Sequence, residues 1–249
     1  MYDPVMKAQE TATVVCRGEA RKYHRFRAAR FYGGIATADC IGCCLGCAFC
    51  WAWRQVAQPQ AYGRFYEPAE VAERLVAIAR KKRFTQVRVS GNEPTIGRAH
   101  LLRVIAAIPH DLTFILETNG ILIGHDPGFA ADLAAFPNLY VRVSLKGTNE
   151  QEFSRLTGAV PEGFGLQLAA LAHLWRARVT VRAAVMVSFS PEENVCALRH
   201  RLAEIAPTFA DELEIEELVL YAGIAERLRD AGLTYRTAYT PRQIPPEQV

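Results

Sequence analysis

The sequence predicts an α/β domain in which helices cover a parallel sheet, and three observations carry that prediction. Short runs rich in Val and Ile alternate with amphipathic stretches, so that strand, helix, strand recurs about five times along the chain. Such repeated units require crossover helices and hence parallel pairing. Polar clusters follow directly on several of the runs, at the strand ends where parallel α/β architectures place their chemistry.

A basic, aromatic opening reaches to about Phe31, and the strands are expected at Gly34–Ala38, Gln86–Ser90, Leu112–Glu117, Leu139–Leu145, Val179–Val187 and Leu213–Leu218. Helical patterns fill the gaps at Pro68–Lys82, Arg98–Ile108, Pro127–Phe136, Gly163–Arg176 and Pro191–Ile205. Pro68 behind Glu67 and Pro191 behind Ser190 each place proline in a first turn, where its missing N–H costs nothing. Six strands fall short of a closed eight-stranded barrel and leave two architectures open, a partial barrel or an open doubly wound sheet. Residues 1–32 are expected to pack on the core as a basic, aromatic segment, 33–239 to form the core domain, and 240–249, rich in proline and glutamine, to be a flexible tail.

Composition bounds the function. The 249 residues are 50% apolar, 22% charged and 10% aromatic, the balance of a globular protein and of neither a disordered nor a fibrous one. Lys and Arg number 29 against 26 Asp and Glu, and a net charge of +3 is too small to imply an obligate nucleic-acid partner. No apolar run approaches the roughly 18 residues that span a bilayer, and the N-terminus lacks the basic-then-apolar order of a secretory signal, so a cytoplasmic protein with no membrane partner is expected.

Five of the seven cysteines, Cys40, Cys43, Cys44, Cys47 and Cys50, fall within eleven residues, a density that suits a metal. Read as Cys40-x2-Cys43 and Cys47-x2-Cys50, they form two knuckles whose short separation would strain tetrahedral zinc. Read as Cys43-x3-Cys47-x2-Cys50, three thiolates wrap one corner of a [4Fe–4S] cube and leave one iron open. Cys40 and Cys44 are then small buried hydrophobes, or Cys40 substitutes for a missing or damaged ligand.

This loop, with Phe49 before the last cysteine, resembles the signature of the radical S-adenosylmethionine superfamily. The resemblance implies a partial (β/α)6 barrel. It also implies that Cys43, Cys47 and Cys50 hold the cluster while the amino and carboxylate groups of the cosubstrate chelate the fourth iron. Ser90-Gly91-Asn92-Glu93-Pro94 is similar to the superfamily's GGEP motif, with departures at Ser90 and Asn92; in relatives the motif meets the methionine amino group. Glu117-Thr118-Asn119-Gly120 looks like the strand end that contacts the ribose and is close to the run found in glycyl-radical-enzyme activating proteins. Ser144 and Lys146 lie where activating enzymes often carry Asp-x-Lys, and Lys146 could neutralise the cosubstrate carboxylate; Met186 ends the strand expected to face adenine.

The implied reaction is reductive cleavage of S-adenosylmethionine to methionine and a 5′-deoxyadenosyl radical, which abstracts hydrogen from a substrate. A glycyl-radical enzyme is the expected partner, with flavodoxin or ferredoxin as electron donor. A tRNA base or small metabolite is the alternative substrate, and a non-catalytic iron–sulfur or zinc protein the alternative class. Arg17, Arg21, Lys22, Arg25, Arg27 and Arg30, interleaved with Tyr23, His24 and Phe26, could track phosphates and stack bases. The favoured reading is an amphipathic segment with its arginines in solvent. The six histidines show no metal spacing, and two isolated cysteines, Cys16 and Cys196, cannot hold a second four-thiolate cluster.

Overall fold

The computed structural model describes residues 1–245, and residues 246–249 of the expected tail lie outside the described residues. Helix α1 (Pro4–Val15) starts where the Asp3 carboxylate accepts from the Val5 and Met6 N–H groups. Then come β1 (Cys16–Arg17), β2 (Ala20–Ala29), β3 (Ile35–Cys40), α2 (Trp53–Ala57), β4 (Arg64–Tyr66), α3 (Pro68–Lys82), β5 (Gln86–Ser90), α4 (Arg98–Ala106) and β6 (Thr113–Thr118). Next are α5 (Ile121–His125), α6 (Pro127–Leu133), β7 (Leu139–Leu145), α7 (Glu150–Thr157), α8 (Glu162–Arg176), β8 (Thr180–Met186) and α9 (Glu192–Ile205). Last are α10 (Pro207–Asp211), β9 (Glu214–Glu216), β10 (Leu218–Val219), α11 (Ile224–Asp230) and β11 (Ala238–Tyr239).

Strands β3, β5, β6, β7, β8 and β9 pair in parallel in that order. The order never reverses, and the helices pack on one face only. Ala36, Ala38, Val87, Val89, Phe114, Leu116, Val141, Val143, Ala183 and Val185 form one buried cluster with Leu75, Leu101, Leu171, Leu174, Leu198 and Leu202 of the helices. A doubly wound sheet would need apolar residues on both faces. Here the opposite face carries Thr37, Asp39, Arg88, Ser90, Glu117, Arg142, Ser144, Glu214 and Glu216, linked strand to strand. The architecture is therefore the partial barrel, with a polar interior.

The opening segment differs from its expected form. β2 pairs antiparallel with β3 and extends the sheet across residue 33, with β1 and β4 paired to it in turn. The segment's basic residues are only partly a solvated face: Arg17, Arg25 and Arg30 are exposed, but Arg21 and Lys22 are buried. Arg21 is 1% exposed and donates to the Val15 and Glu93 carbonyls, and Lys22 donates to the carbonyls of Pro59 and Gln60. A register shift between Tyr23 and Arg25 changes which residues face the helices, so Tyr23 packs against His100 while Arg25 and Arg27 face the interior with Asp39. At the other end the expected run 213–218 divides, because β10 leaves the sheet to pair with β11.

Candidate active site

The cysteine loop leaves the end of β3 and is held on every side by the protein. The Gly42 N–H donates to Asn92 Oδ1 at 2.7 Å and the Gly42 carbonyl accepts from the Glu93 N–H at 2.9 Å, joining the loop to the turn after β5. Gly42 has φ +89, and a Cβ there would lie 2.7 Å from Thr11 Cγ2, so no other residue fits. Tyr2 Oη accepts from the Gly46 N–H at 2.7 Å and donates to the Thr157 carbonyl at 3.1 Å. Arg227 of α11 donates to the carbonyls of Cys47 (3.1 Å) and Ala48 (3.2 Å) and lies over the Trp53 ring at 4.8 Å. Phe49 packs on Phe189 at 5.6 Å, in a second apolar cluster that includes Met186, Leu218 and Ile224.

The four loop thiols are chemically unlike. A hydrogen bond from Cys44 holds the Cys43 thiol below its ordinary range against the cost of burial, with help from the Leu45 N–H and Lys146. The neighbouring Cys43 and burial push the Cys44 thiol up. Asn119 Nδ2 lies 3.3 Å from Cys44 Sγ and 3.6 Å from Cys43 Sγ. Burial pushes Cys50 up to about 11, with Cys43 adding to the rise and Lys146 and Arg227 opposing it. Burial likewise raises Cys47, with Lys146 opposing and Cys50 and Cys43 adding. Cys43, Cys47 and Cys50 thus share one electrostatic neighbourhood with Lys146 beside it. Cys40 is 2% exposed in the main core, where burial pushes its thiol up to about 12.

The rim residues meet as the sequence suggests, although several are engaged by the protein itself. Gly91 has φ +105, and a Cβ there would lie 2.9 Å from the Cys40 N and O atoms; that close approach fixes the turn against the cysteine loop. Glu93 is 1% exposed. Its carboxylate accepts from the Thr95 N–H (3.1 Å), Thr95 Oγ1 (2.6 Å), Thr118 Oγ1 (2.7 Å) and the Asn119 N–H (2.7 Å), clamping the turns after β5 and β6 together. Glu117 accepts from Ser90 Oγ at 2.5 Å, Arg88 Nη1 at 2.7 Å and Tyr32 Oη at 3.2 Å. Burial opposes its ionisation, but Arg88 and Arg142 hold its carboxyl below the usual range. Ser144 Oγ donates to Glu216 Oε2 at 2.7 Å and accepts from Lys146 Nζ.

Three contributors were not visible in the sequence. Gln167, fully buried on α8, donates to the carbonyls of Asn119 (2.5 Å) and Ser144 (3.2 Å) and accepts from the Lys146 N–H (3.0 Å). A polar residue at core spacing between Phe164 and Leu171 was its signal. Tyr2 and Arg227 reach the loop from 44 and 180 residues away, and no local pattern marks them. Among the described residues no three His, Cys, Asp or Glu side chains gather as around a single ion. A cubane spreads its thiolates over separate irons, and a trio of cysteines, Cys47 buried and Cys43 and Cys50 half-buried, beside a lysine and an arginine fits a group carrying several thiolate charges.

Residues 40–205 match the model of the Radical SAM superfamily. SuiB of Streptococcus suis, in a crystal structure bound to S-adenosylmethionine, is 17% identical with a TM-score of 0.58, covering 80% of this chain and 48% of its own. A native anSMEcpe structure with bound AdoMet is 19% identical with a TM-score of 0.52, covering 71% of this chain and 49% of its own. A spore photoproduct lyase, in the form of a cysteine-to-alanine mutant, is 15% identical with a TM-score of 0.58, covering 90% of this chain and 66% of its own. At these identities the likeness is one of fold, and the chain spans about half the length of SuiB and anSMEcpe. No curated protein matches the chain. Among the described residues no helix is long and apolar enough to cross a membrane.

Proposed function

Because the chain belongs to the radical S-adenosylmethionine superfamily, with a [4Fe–4S] cluster and S-adenosylmethionine as its cofactors, we propose that Cys43, Cys47 and Cys50 are its cluster ligands and that the rim after β5, β6 and β7 receives the cosubstrate. When bound, these groups supply one-electron cleavage of the sulfonium to methionine and a 5′-deoxyadenosyl radical that takes hydrogen from a substrate. The protein's part is positioning and dryness. Asn92, Tyr2 and Arg227 fix the loop, and Gly91 brings backbone close to the loop's origin. Glu93 serves as a clamp that presents Thr118 and Asn119, while Ser90 and Glu117 meet one layer into the barrel. Lys146, Ser144 and Glu216 form the charged wall facing the cysteines, and Phe49 with Met186 supplies the apolar one.

The observation that carries the ligand choice is burial: Cys44 is fully buried within the apolar core, whereas Cys43 lies half-buried at its edge, in the same loop as Cys47 and Cys50. After anaerobic reconstitution, Cys43→Ala, Cys47→Ala and Cys50→Ala should each abolish dithionite-dependent 5′-deoxyadenosine formation, whereas Cys44→Ala keeps most of it. Retained cleavage in any of the first three overturns the assignment. About four irons per chain is expected, and stoichiometric zinc without turnover would favour the non-catalytic class. For the substrate we favour a protein or peptide, a glycyl-radical enzyme being one example, with a flavodoxin or ferredoxin as donor. SuiB, which shares this fold, has been crystallised with its precursor peptide SuiA.

A further inference from the structure

The polar interior of the barrel is a sequence of ion pairs that balance, except at one place. Arg88 pairs with Glu117 at 2.7 Å. Arg142 lies between Glu214 at 2.6 Å and Glu216 at 2.5 Å, and Lys146 adds the second positive charge to that pair through Ser144. Arg182 pairs with Glu212 at 2.7 Å. At the edge nearest the cysteine loop, by contrast, Arg25 Nε (2.6 Å) and Arg27 Nε (2.8 Å) both donate to the same oxygen, Asp39 Oδ2. Arg27 Nη2 takes the other oxygen at 3.2 Å. The Asp39 side chain is only 2% exposed, while those of Arg25 and Arg27 are 47% and 26% exposed. Two cations therefore share one buried anion, a surplus of one positive charge.

Like charges side by side repel, and one carboxylate neutralises only one of them. A purely structural role for Asp39 would need one arginine. Both guanidiniums are held by their Nε edges, and the Arg25 Nη groups carry no hydrogen bond among the described residues. Two adjoining forks of N–H donors, prefixed on a buried anchor, make a receptor for an oxyanion. Its place matches that use. Asp39 is the residue before Cys40, where the cysteine loop begins, and Asp39 pairs in register with Ser90 of the rim. Trp51, next to Cys50, is 44% exposed, with the Arg25 guanidinium 5.9 Å from its ring centroid.

We propose that Arg25 and Arg27 form the anchoring site for an oxyanion group of the substrate, a carboxylate or a phosphate, at the mouth of the barrel beside Trp51. This inference rests on the reading of the rim as the site of radical chemistry and specifies what that chemistry acts on. The shared requirement is a planar or tetrahedral set of anionic oxygens, which a carboxylate-bearing peptide or a phosphate-bearing metabolite can supply.

The test titrates the reconstituted chain with inorganic phosphate and, separately, with glutarate at constant ionic strength, and follows Trp emission against a Trp51→Phe control. Saturable binding with a Kd of about 10 mM or tighter is expected for at least one of the two, and which one binds more tightly assigns the source. Arg25→Gln and Arg27→Gln should each weaken it at least about tenfold, about 1.4 kcal/mol. Each variant leaves a guanidinium on Asp39, so the fold is retained, which a melting curve checks. Arg229→Gln on α11 removes the same charge elsewhere and should leave the titration unchanged. No saturable binding, or equal weakening by Arg229→Gln, overturns the proposal. Formation of 5′-deoxyadenosine by the wild-type chain reads the radical chemistry alone. A chain that cleaves the cosubstrate but binds neither anion refutes only the anchoring site; one that binds but does not cleave refutes only the assigned chemistry.

Discussion

The two faces of the sheet obey opposite rules, although the same strands build both. In β5, Val87 and Val89 enter the helix-covered core while Arg88 and Ser90 enter the ion-pair lattice; β7 divides the same way between Val141 with Val143 and Arg142 with Ser144. The apolar face stabilises by excluding water and by close packing. The polar face must match charge to charge, since each ion withdrawn from water needs a partner. The lesson is that this barrel closes its interior with matched charges, where hydrophobic filling would have been the simpler way.

The sharpest contrast between the faces is how their losses respond to pH. Phe114→Ala on the apolar face, fully buried, should cost about 3–5 kcal/mol at any pH from about 4 to 8. Arg142→Met on the polar face should cost about 3 kcal/mol at pH 7, because it takes the close partner from Glu214 and Glu216 and leaves only Lys146 near Glu216 and Arg182, 3.7 Å away, near Glu214. That second penalty should shrink in acid. Burial opposes ionisation of Glu216, but Arg142, Lys146 and Ser144 hold its carboxyl down to about 2, so in the wild type it contributes stability above its unfolded value that is lost as pH falls toward 2. Without Arg142 the carboxyl rises, and protonating it relieves the strain. Denaturant melts of both variants at pH 7 and pH 4 decide this; parallel curves would mean the polar face is not held by charge.

Much of this division was legible, because strands of alternating Val and Arg and helices at core spacing are local patterns. Helix Pro68–Lys82 was readable to the residue, since Glu67 and Glu70 form a capping box around Pro68 and Arg83 in the left-handed region ends it. The cysteine spacing pointed to the loop, yet spacing cannot tell Cys43 from Cys44; burial does, since Cys44 is sealed in the apolar core and Cys43 lies at its edge. β2 misled because the shift after Tyr23 breaks its alternation, so buried, interior and exposed arginines occur in one run. Helices α5, α7 and α11 are of five, eight and seven residues, too short for periodicity to declare.

His100 is a polar exception on the apolar face and extends the comparison. Its Nδ1 lies 2.7 Å from the Glu19 carbonyl, which can only accept, so Nδ1 carries the proton and Nε2 accepts from Tyr23 Oη at 2.9 Å. Burial lowers its pKa to about 4, the Glu19 carbonyl opposing and Arg21 assisting. Because the unfolded chain binds the proton more readily, stability from this group is complete above about pH 6.5 and is lost as pH falls toward 4, by up to about 3 kcal/mol. His100→Gln should be less stable than wild type at pH 7 and nearly equal to it at pH 4. A gap that stays constant between those values would show that His100 does not titrate as a neutral core residue.

The smallest effect belongs to the loop that joins the two faces. Tyr2→Phe removes both the acceptor for the Gly46 N–H and the donor to the Thr157 carbonyl, but Gly46 is exposed and water can replace the first bond. Global stability should therefore fall by only about 1 kcal/mol. The loop itself loses its tether to the N-terminal residues, and keeps those to Asn92 and Arg227. Iron retention during gel filtration should consequently drop more in Tyr2→Phe than in Phe114→Ala, even though Phe114→Ala is the less stable protein. If iron loss instead follows global stability across the two variants, the loop is held by the fold as a whole and Tyr2 has no separate part in it.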